Sequence, residues 1–131
     1  MTTQGKGTYD AAGWDEKPYD DNGGAKLTRA HFTNTFTGDI EGEGTADYLM
    51  AYPTDQTASF VGLQKIVGTI AGKKGSFVLQ TSGDWNGGTA KAEWFVVPGS
   101  GTDALKGLHG KGSYEASHGT TAKYKLNYDF E

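Results

Sequence analysis

The chain has 131 residues, a formal net charge of -4 and no cysteine, which excludes a disulfide framework, thiolate metal ligation and cysteine nucleophilic catalysis. The acidic balance argues against a nucleic-acid partner, since the nearest approach to a basic cluster is Lys73-Lys74 between Gly72 and Gly75, and phosphate neutralisation needs many more clustered cations. No apolar run is long enough to span a bilayer and the first residues form no signal region, so one cytoplasmic domain without a membrane partner is expected.

In chain order, the first strand is expected from about Gln4 to Trp14, followed by a polar loop from Asp15 to Gly24 that ends in Asp-Asn-Gly-Gly turn chemistry. Ala25 to Thr37 reads as a long strand in which Ala30, Phe32 and Phe36 alternate with Arg29, His31, Thr33 and Thr35, with Asn34 interrupting the apolar face. Gly38 to Gln64 holds two strands about a Pro53-Thr54-Asp55 turn, with Tyr48, Met50 and Tyr52 on one face of the first and Phe60, Gly62 and Gln64 on one face of the second. The second continues through Ile66 and Ile70, with a bend expected at Gly68. After a Gly72-Lys73-Lys74-Gly75 turn, Ser76 to Ser82 is a strand; Asp84-Trp85-Asn86-Gly87-Gly88 turns the chain, and Thr89 to Val97 pairs back. Pro98 to Gly107 breaks the pattern, with Thr102 or Asp103 capping one helical turn. Two strands close the chain, one carrying Gly112, Tyr114 and Ala116, the other alternating Tyr124, Leu126, Tyr128 and Phe130 with Lys123, Lys125, Asn127, Asp129 and Glu131.

Roughly eight strands at hairpin spacing, with almost no helical period, predict an all-β antiparallel meander, and closure into an eight-stranded barrel removes its two unpaired edges. With the apolar faces inward, the lumen holds Phe32, Phe36, Tyr48, Met50, Phe60, Gln64, Trp94, Tyr114, Tyr124, Tyr128 and Phe130. Eight strands leave an interior just wide enough for side chains or for one small ligand. Such a lumen is either a filled core or a pocket for a small apolar or aromatic molecule, lined by Tyr48, Met50, Phe60, Trp94, Tyr114 and Tyr124 and oriented by Gln64. Secondary candidates are Arg29 and His31, which a wide mouth would turn toward an anionic group, Gln80 and Ser82, and Glu43, which shares a strand face with Asp47. His31, His109 and His118 lie in different segments, and the acids of the Asp15 to Gly24 loop do not follow calcium-loop spacing, so neither a metal site nor a cofactor is expected.

Phe36-Thr37-Gly38-Asp39-Ile40-Glu41-Gly42-Glu43-Gly44-Thr45, Ser59-Phe60-Val61-Gly62-Leu63, Gly75-Ser76-Phe77-Val78-Leu79-Gln80, Val96-Val97-Pro98-Gly99-Ser100-Gly101-Thr102 and Leu126-Asn127-Tyr128-Asp129 together resemble a bacterial family of small proteins known only as a domain of unknown function. Its solved members are grouped with the allene oxide cyclase-like barrels, whose architecture is lipocalin-like. The resemblance implies a closed eight-stranded barrel with a cavity, frequently a homo-oligomer. Many members carry Glu where this chain has Gln64 and His where it has Ser82, so an acid-base pair at those positions would be lost here. Three functions fit: an isomerase or cyclase that holds an apolar substrate in a reactive shape, a non-catalytic ligand carrier, or an oligomeric interaction module with a filled core.

Overall fold

The computed structural model describes residues 2–117 and 121–130. Its strands are β1 (Thr3–Asp20), β2 (Lys26–Gly38), β3 (Ile40–Thr54), β4 (Thr57–Ile70), β5 (Lys73–Asn86), β6 (Thr89–Val96), β7 (Leu108–Ser117) and β8 (Ala122–Phe130), with a single 3-10 turn, Asp103–Leu105, between β6 and β7. Each strand pairs antiparallel with the next, and β1 pairs with β8 from Thr3↔Tyr128 to Tyr9↔Ala122, which closes the barrel. Closure follows from the chemistry of edges: every strand carries its buried apolar row on one face, and a sheet rolled on that face buries those rows while leaving no unpaired ladder.

The period-two alternation settles the faces. In β2 the even residues from Thr28 to Phe36 are buried and the odd ones exposed, and Asn34 takes an interior place in that row, 1% exposed, without breaking it. The same rule turns Tyr48 and Met50 of β3, Phe60 and Gln64 of β4, Trp94 of β6, Tyr114 of β7 and Tyr124, Leu126 and Tyr128 of β8 inward. At the end where β2 meets β3 and β4 meets β5, the lumen is solid: Ile40, Ile70, Phe77, Leu108 and Leu126 fill it. The 3-10 turn adds Leu105, fully buried against Gly75, where the turn is tied down by a Thr102 N–H to Ser76 carbonyl bond of 2.9 Å. Thr102 occupies the N-cap position, but its hydroxyl accepts from the Ser76 N–H at 3.0 Å and does not cap the turn.

Several boundaries differ from the sequence expectation. The polar stretch after Trp14 is not a loop: β1 continues to Asp20, pairing Asp15↔His31, Glu16↔Ala30 and Pro18↔Thr28 beyond a register shift between Ala12 and Asp15. Polar composition concealed a strand whose inward carboxylate, Glu16, is compensated by hydrogen bonds. At Gly68 the ladders to both neighbours run without a shift, Gly42↔Gly68 and Gly68↔Gly75, so there is no bulge there. The turn before β5 is Ala71-Gly72, and Lys73 and Lys74 already belong to the strand. The next turn is Gly87-Gly88, so Trp85 lies on β5 and faces its partner Ala90.

Candidate functional site: an aromatic cavity at one end of the barrel

At the end opposite Leu105 the barrel is hollow. A cavity of about 530 Å³ is lined by Tyr9, Ala11, Trp14, Phe32, Tyr48, Met50, Tyr52, Asp55, Phe60, Trp85, Ala90, Tyr114, Ala116 and Ala122. The space has a plain steric origin: aromatic side chains crowd β1 to β4, whereas β6 to β8 present Ala90 and Ala116, direct partners on β6 and β7, and Ala122, paired with Tyr9, beside the single ring of Tyr114. Its volume lies within the roughly 300–1,000 Å³ of small-molecule sites, and its walls are as apolar as such sites usually are.

Tyr9, Tyr48 and Tyr114 bring buried hydroxyls into this wall. The Tyr48 and Tyr114 hydroxyl oxygens are 3.3 Å apart, and Tyr9 meets Tyr114 edge-on at 5.5 Å between ring centres. Tyr48 is held flat against Phe60 at 5.3 Å and edge-on to Phe32 at 5.0 Å. Gly62 permits this placement, since a Cβ there would lie only 2.8 Å from the Tyr48 Cα and would run into its ring. The Thr81 hydroxyl, buried beside Tyr48, makes no hydrogen bond of ordinary geometry. Burial raises the pKa of all three tyrosines, so they stand in the cavity as neutral hydroxyls.

The rim is organised by Glu16. One carboxylate oxygen accepts from the Thr28 hydroxyl and the Tyr52 hydroxyl, each at 2.6 Å, and the other from the Trp14 indole N–H at 3.0 Å. Trp14 in turn stacks on Phe32 at 4.5 Å, which lays its ring over the edge of the cavity. Burial pushes the Glu16 pKa up, but the hydrogen bonds from Thr28, Tyr52 and Trp14 and the nearby Lys26 charge together outweigh it and bring the group below the ordinary glutamate range. Burial and the adjacent carboxylate raise Tyr52 far above its ordinary value. Glu16 is therefore an ionised acceptor, engaged on both oxygens, that braces the rim, and a poor base.

Of the residues expected at the site, Tyr48, Met50, Phe60 and Tyr114 line the cavity, and Gln64, Trp94 and Tyr124 do not. Gln64 lies deeper, 1% exposed, its oxygen accepting from the Asn34 amide at 2.8 Å. The Trp94 indole donates to the Lys125 carbonyl at 3.1 Å, and the Tyr124 hydroxyl accepts from the Ile40 N–H at 2.9 Å and donates to the Thr37 carbonyl at 3.1 Å. These three side chains are committed to the packed half of the barrel. Arg29, His31, Glu43, Gln80 and Ser82 stand on the outer face, because their odd or even position places them opposite the inward row of their strand. There Asp47 accepts from His31 at 3.0 Å and Arg29 at 3.4 Å on the exposed side of β2 and β3, so that trio does not reach the cavity. Positions 64 and 82 lie on opposite sides of the barrel wall, so in this geometry they cannot share one reacting atom. His118 lies outside the described residues. Among the described residues no three His, Asp or Glu side chains converge as a metal site.

Tyr9, Trp14, Glu16, Tyr52, Trp85 and the alanines were missed by the sequence reading. The signal was present: Trp14, Glu16 and Pro18 continue a period of two. The register shift after Ala12, where Gly13 takes a φ of +66°, breaks its phase with Tyr9 and Ala11. A larger concavity, about 1170 Å³, lies on the outer face of β4 to β8. Its Asp84, Lys91, Glu115 and Lys123 form one cross-strand row of alternating charge, which is the pattern of a solvated sheet surface, and the interior cavity is the better site.

A family model described as a protein of unknown function, DUF3224, matches residues 5–128. A crystal structure of a DUF3224 family protein with unknown function from Shewanella oneidensis MR-1 superposes with a TM-score of 0.80 at 28% identity, covering 100% of this chain and 99% of that one. No curated protein matches. With the match running almost end to end and the same barrel in a solved member, the chain belongs to the DUF3224 family.

Proposed function

We propose that this barrel binds one small, planar, largely apolar molecule in the cavity beneath Trp14. The observation that carries the reading is the conjunction of a hollow of about 530 Å³ with a wall of aromatic rings in which Ala90, Ala116 and Ala122 leave room. A core selected only for stability closes such space, because each unfilled methyl-sized gap costs about 1 kcal/mol. Among the described residues no lysine, arginine or histidine lines the cavity, and the one lining carboxylate is Asp55 at the mouth, which favours a neutral molecule over an ion. Binding or carriage is the function these walls support best. An isomerisation or ring closure driven by confinement alone would use the same surface and needs no acid-base pair.

Titration with N-phenyl-1-naphthylamine, followed through quenching of Trp14 and Trp85, tests this. Saturable one-to-one binding is expected, weakened at least about tenfold by Ala116→Phe, which fills the alanine side of the cavity. Equal affinity in the variant, with its thermal transition preserved, rejects the site. A compound released on denaturing protein isolated from its own cells, as read by native mass spectrometry, is the molecule to assay for turnover.

The outer face supports self-association. Leu49, Val61, Leu63, Val67 and Phe95 are each between 41% and 58% exposed and form one stripe across β3 to β6. Lys65 stands between Leu63 and Val67 in that row and Asp47 pairs with Leu63, so a two-fold pairing lets one charge face the other.

A further inference from the structure

We propose that the Tyr9, Tyr48 and Tyr114 hydroxyls are the polar anchor of the cavity and take a carbonyl oxygen of the bound molecule, making the ligand class a flat aromatic or conjugated ketone, aldehyde or lactone. The inference rests on the cavity reading above and deepens it.

The argument is an inventory of donors. Tyr48 and Tyr114 are within hydrogen-bond reach at 3.3 Å, Tyr9 adjoins Tyr114 and Thr81 adjoins Tyr48. Four hydroxyls in an open row bring four protons to at most three links, so one O–H always lacks an acceptor within the row. All four residues are at least nine-tenths buried, where such a donor costs about 1–3 kcal/mol unless something accepts from it. Three of the four line the cavity, so in every arrangement but the one that leaves Thr81 spare, the unpaired donor is in reach of a ligand placed there. An acceptor that brings a full negative charge is disfavoured, because no cationic side chain among the described residues lines the cavity and Lys26 is out at the rim over Tyr52. A neutral carbonyl oxygen satisfies the donor without that cost, and its planar, conjugated body suits the slot between the aromatic and alanine arcs.

The test compares two size-matched probes by calorimetric titration, 2-acetylnaphthalene and 2-isopropenylnaphthalene, which differ in a carbonyl oxygen replaced by a methylene group. The expected result is that the ketone binds about five- to tenfold more tightly, the worth of one buried hydrogen bond. In the triple variant Tyr9→Phe/Tyr48→Phe/Tyr114→Phe, which keeps all three rings and removes every hydroxyl of the row that lines the cavity, the ratio should fall below about twofold. Equal affinities in the unsubstituted protein overturn the anchor and leave the cavity reading standing. A ketone preference that survives in the triple variant also overturns it, and binding of neither probe overturns both readings.

Discussion

The buried amide pair Asn34–Gln64 gives a quantitative test of how the interior is divided. Whichever way round the two amides lie, the pair makes one N–H···O bond, 2.8 Å as assigned, and leaves one oxygen and one NH2 group without a protein partner in a site 1% exposed on both sides. Gly44 supplies the clearance, since a Cβ there would lie 2.8 Å from the Gln64 Cδ. Gln64→Met keeps the length of the side chain but strands the Asn34 amide, which should cost about 1–3 kcal/mol, while replacing both partners by apolar groups of matching shape is nearly neutral or stabilising. The single variants Gln64→Met and Asn34→Leu should therefore each be less stable than the parent. The double variant should recover to within about 0.5 kcal/mol of the parent or exceed it, a strongly non-additive cycle. Urea denaturation followed by tryptophan fluorescence measures it, and a chain of this size shifts by about 3–5 °C for each kcal/mol in a parallel thermal scan. A double variant that loses the sum of the two single losses refutes the reasoning. Because neither residue lines the cavity, affinity for N-phenyl-1-naphthylamine should stay unchanged in Gln64→Met; a clear loss would return Gln64 to the site.

Glu16 has a folded pKa below its unfolded value, so its contribution is present above about pH 4.3 and is lost as pH falls through the folded value. The stability gap between the parent and Glu16→Gln should accordingly be widest near neutrality and close on acidification, and a gap that is flat from pH 7 to pH 3 contradicts the assignment. Gly62→Ala should cost about 1–3 kcal/mol by driving a methyl group into the Tyr48 ring, and should weaken probe binding more than an equally destabilising change at the Leu105 end. The outer stripe offers on the order of 500 Å² of apolar surface, against about 800 Å² per partner in a stable complex. Sedimentation should therefore show a concentration-dependent dimer that Leu63→Asp dissociates; a monomer at every concentration removes the self-association reading.

Much of the barrel was readable from the order of residues. Alternation in β2, β3, β4 and β8 gave both the strands and their inward faces, and turn residues gave most connections, because a half-buried strand has only one way to hide its apolar side. Glu16 and Trp14 were unreadable for a related reason: a register shift changes the phase of the alternation, and an inward carboxylate looks like loop chemistry until its donors, twelve and thirty-six positions away at Thr28 and Tyr52, are brought beside it. Gln64 erred in the opposite direction. Its strand face was legible, but alternation carries no information about depth along the barrel axis, and depth separates the packed half from the hollow one.

The sequence by itself determined an all-β closed meander with an aromatic interior, since local period and edge chemistry suffice for that. Where the interior is empty was decided only by tertiary structure. Cavity volume arises from the mismatch of facing side chains, here aromatic groups on β1 to β4 against Ala90, Ala116 and Ala122, and that mismatch exists only once closure brings β1 against β8.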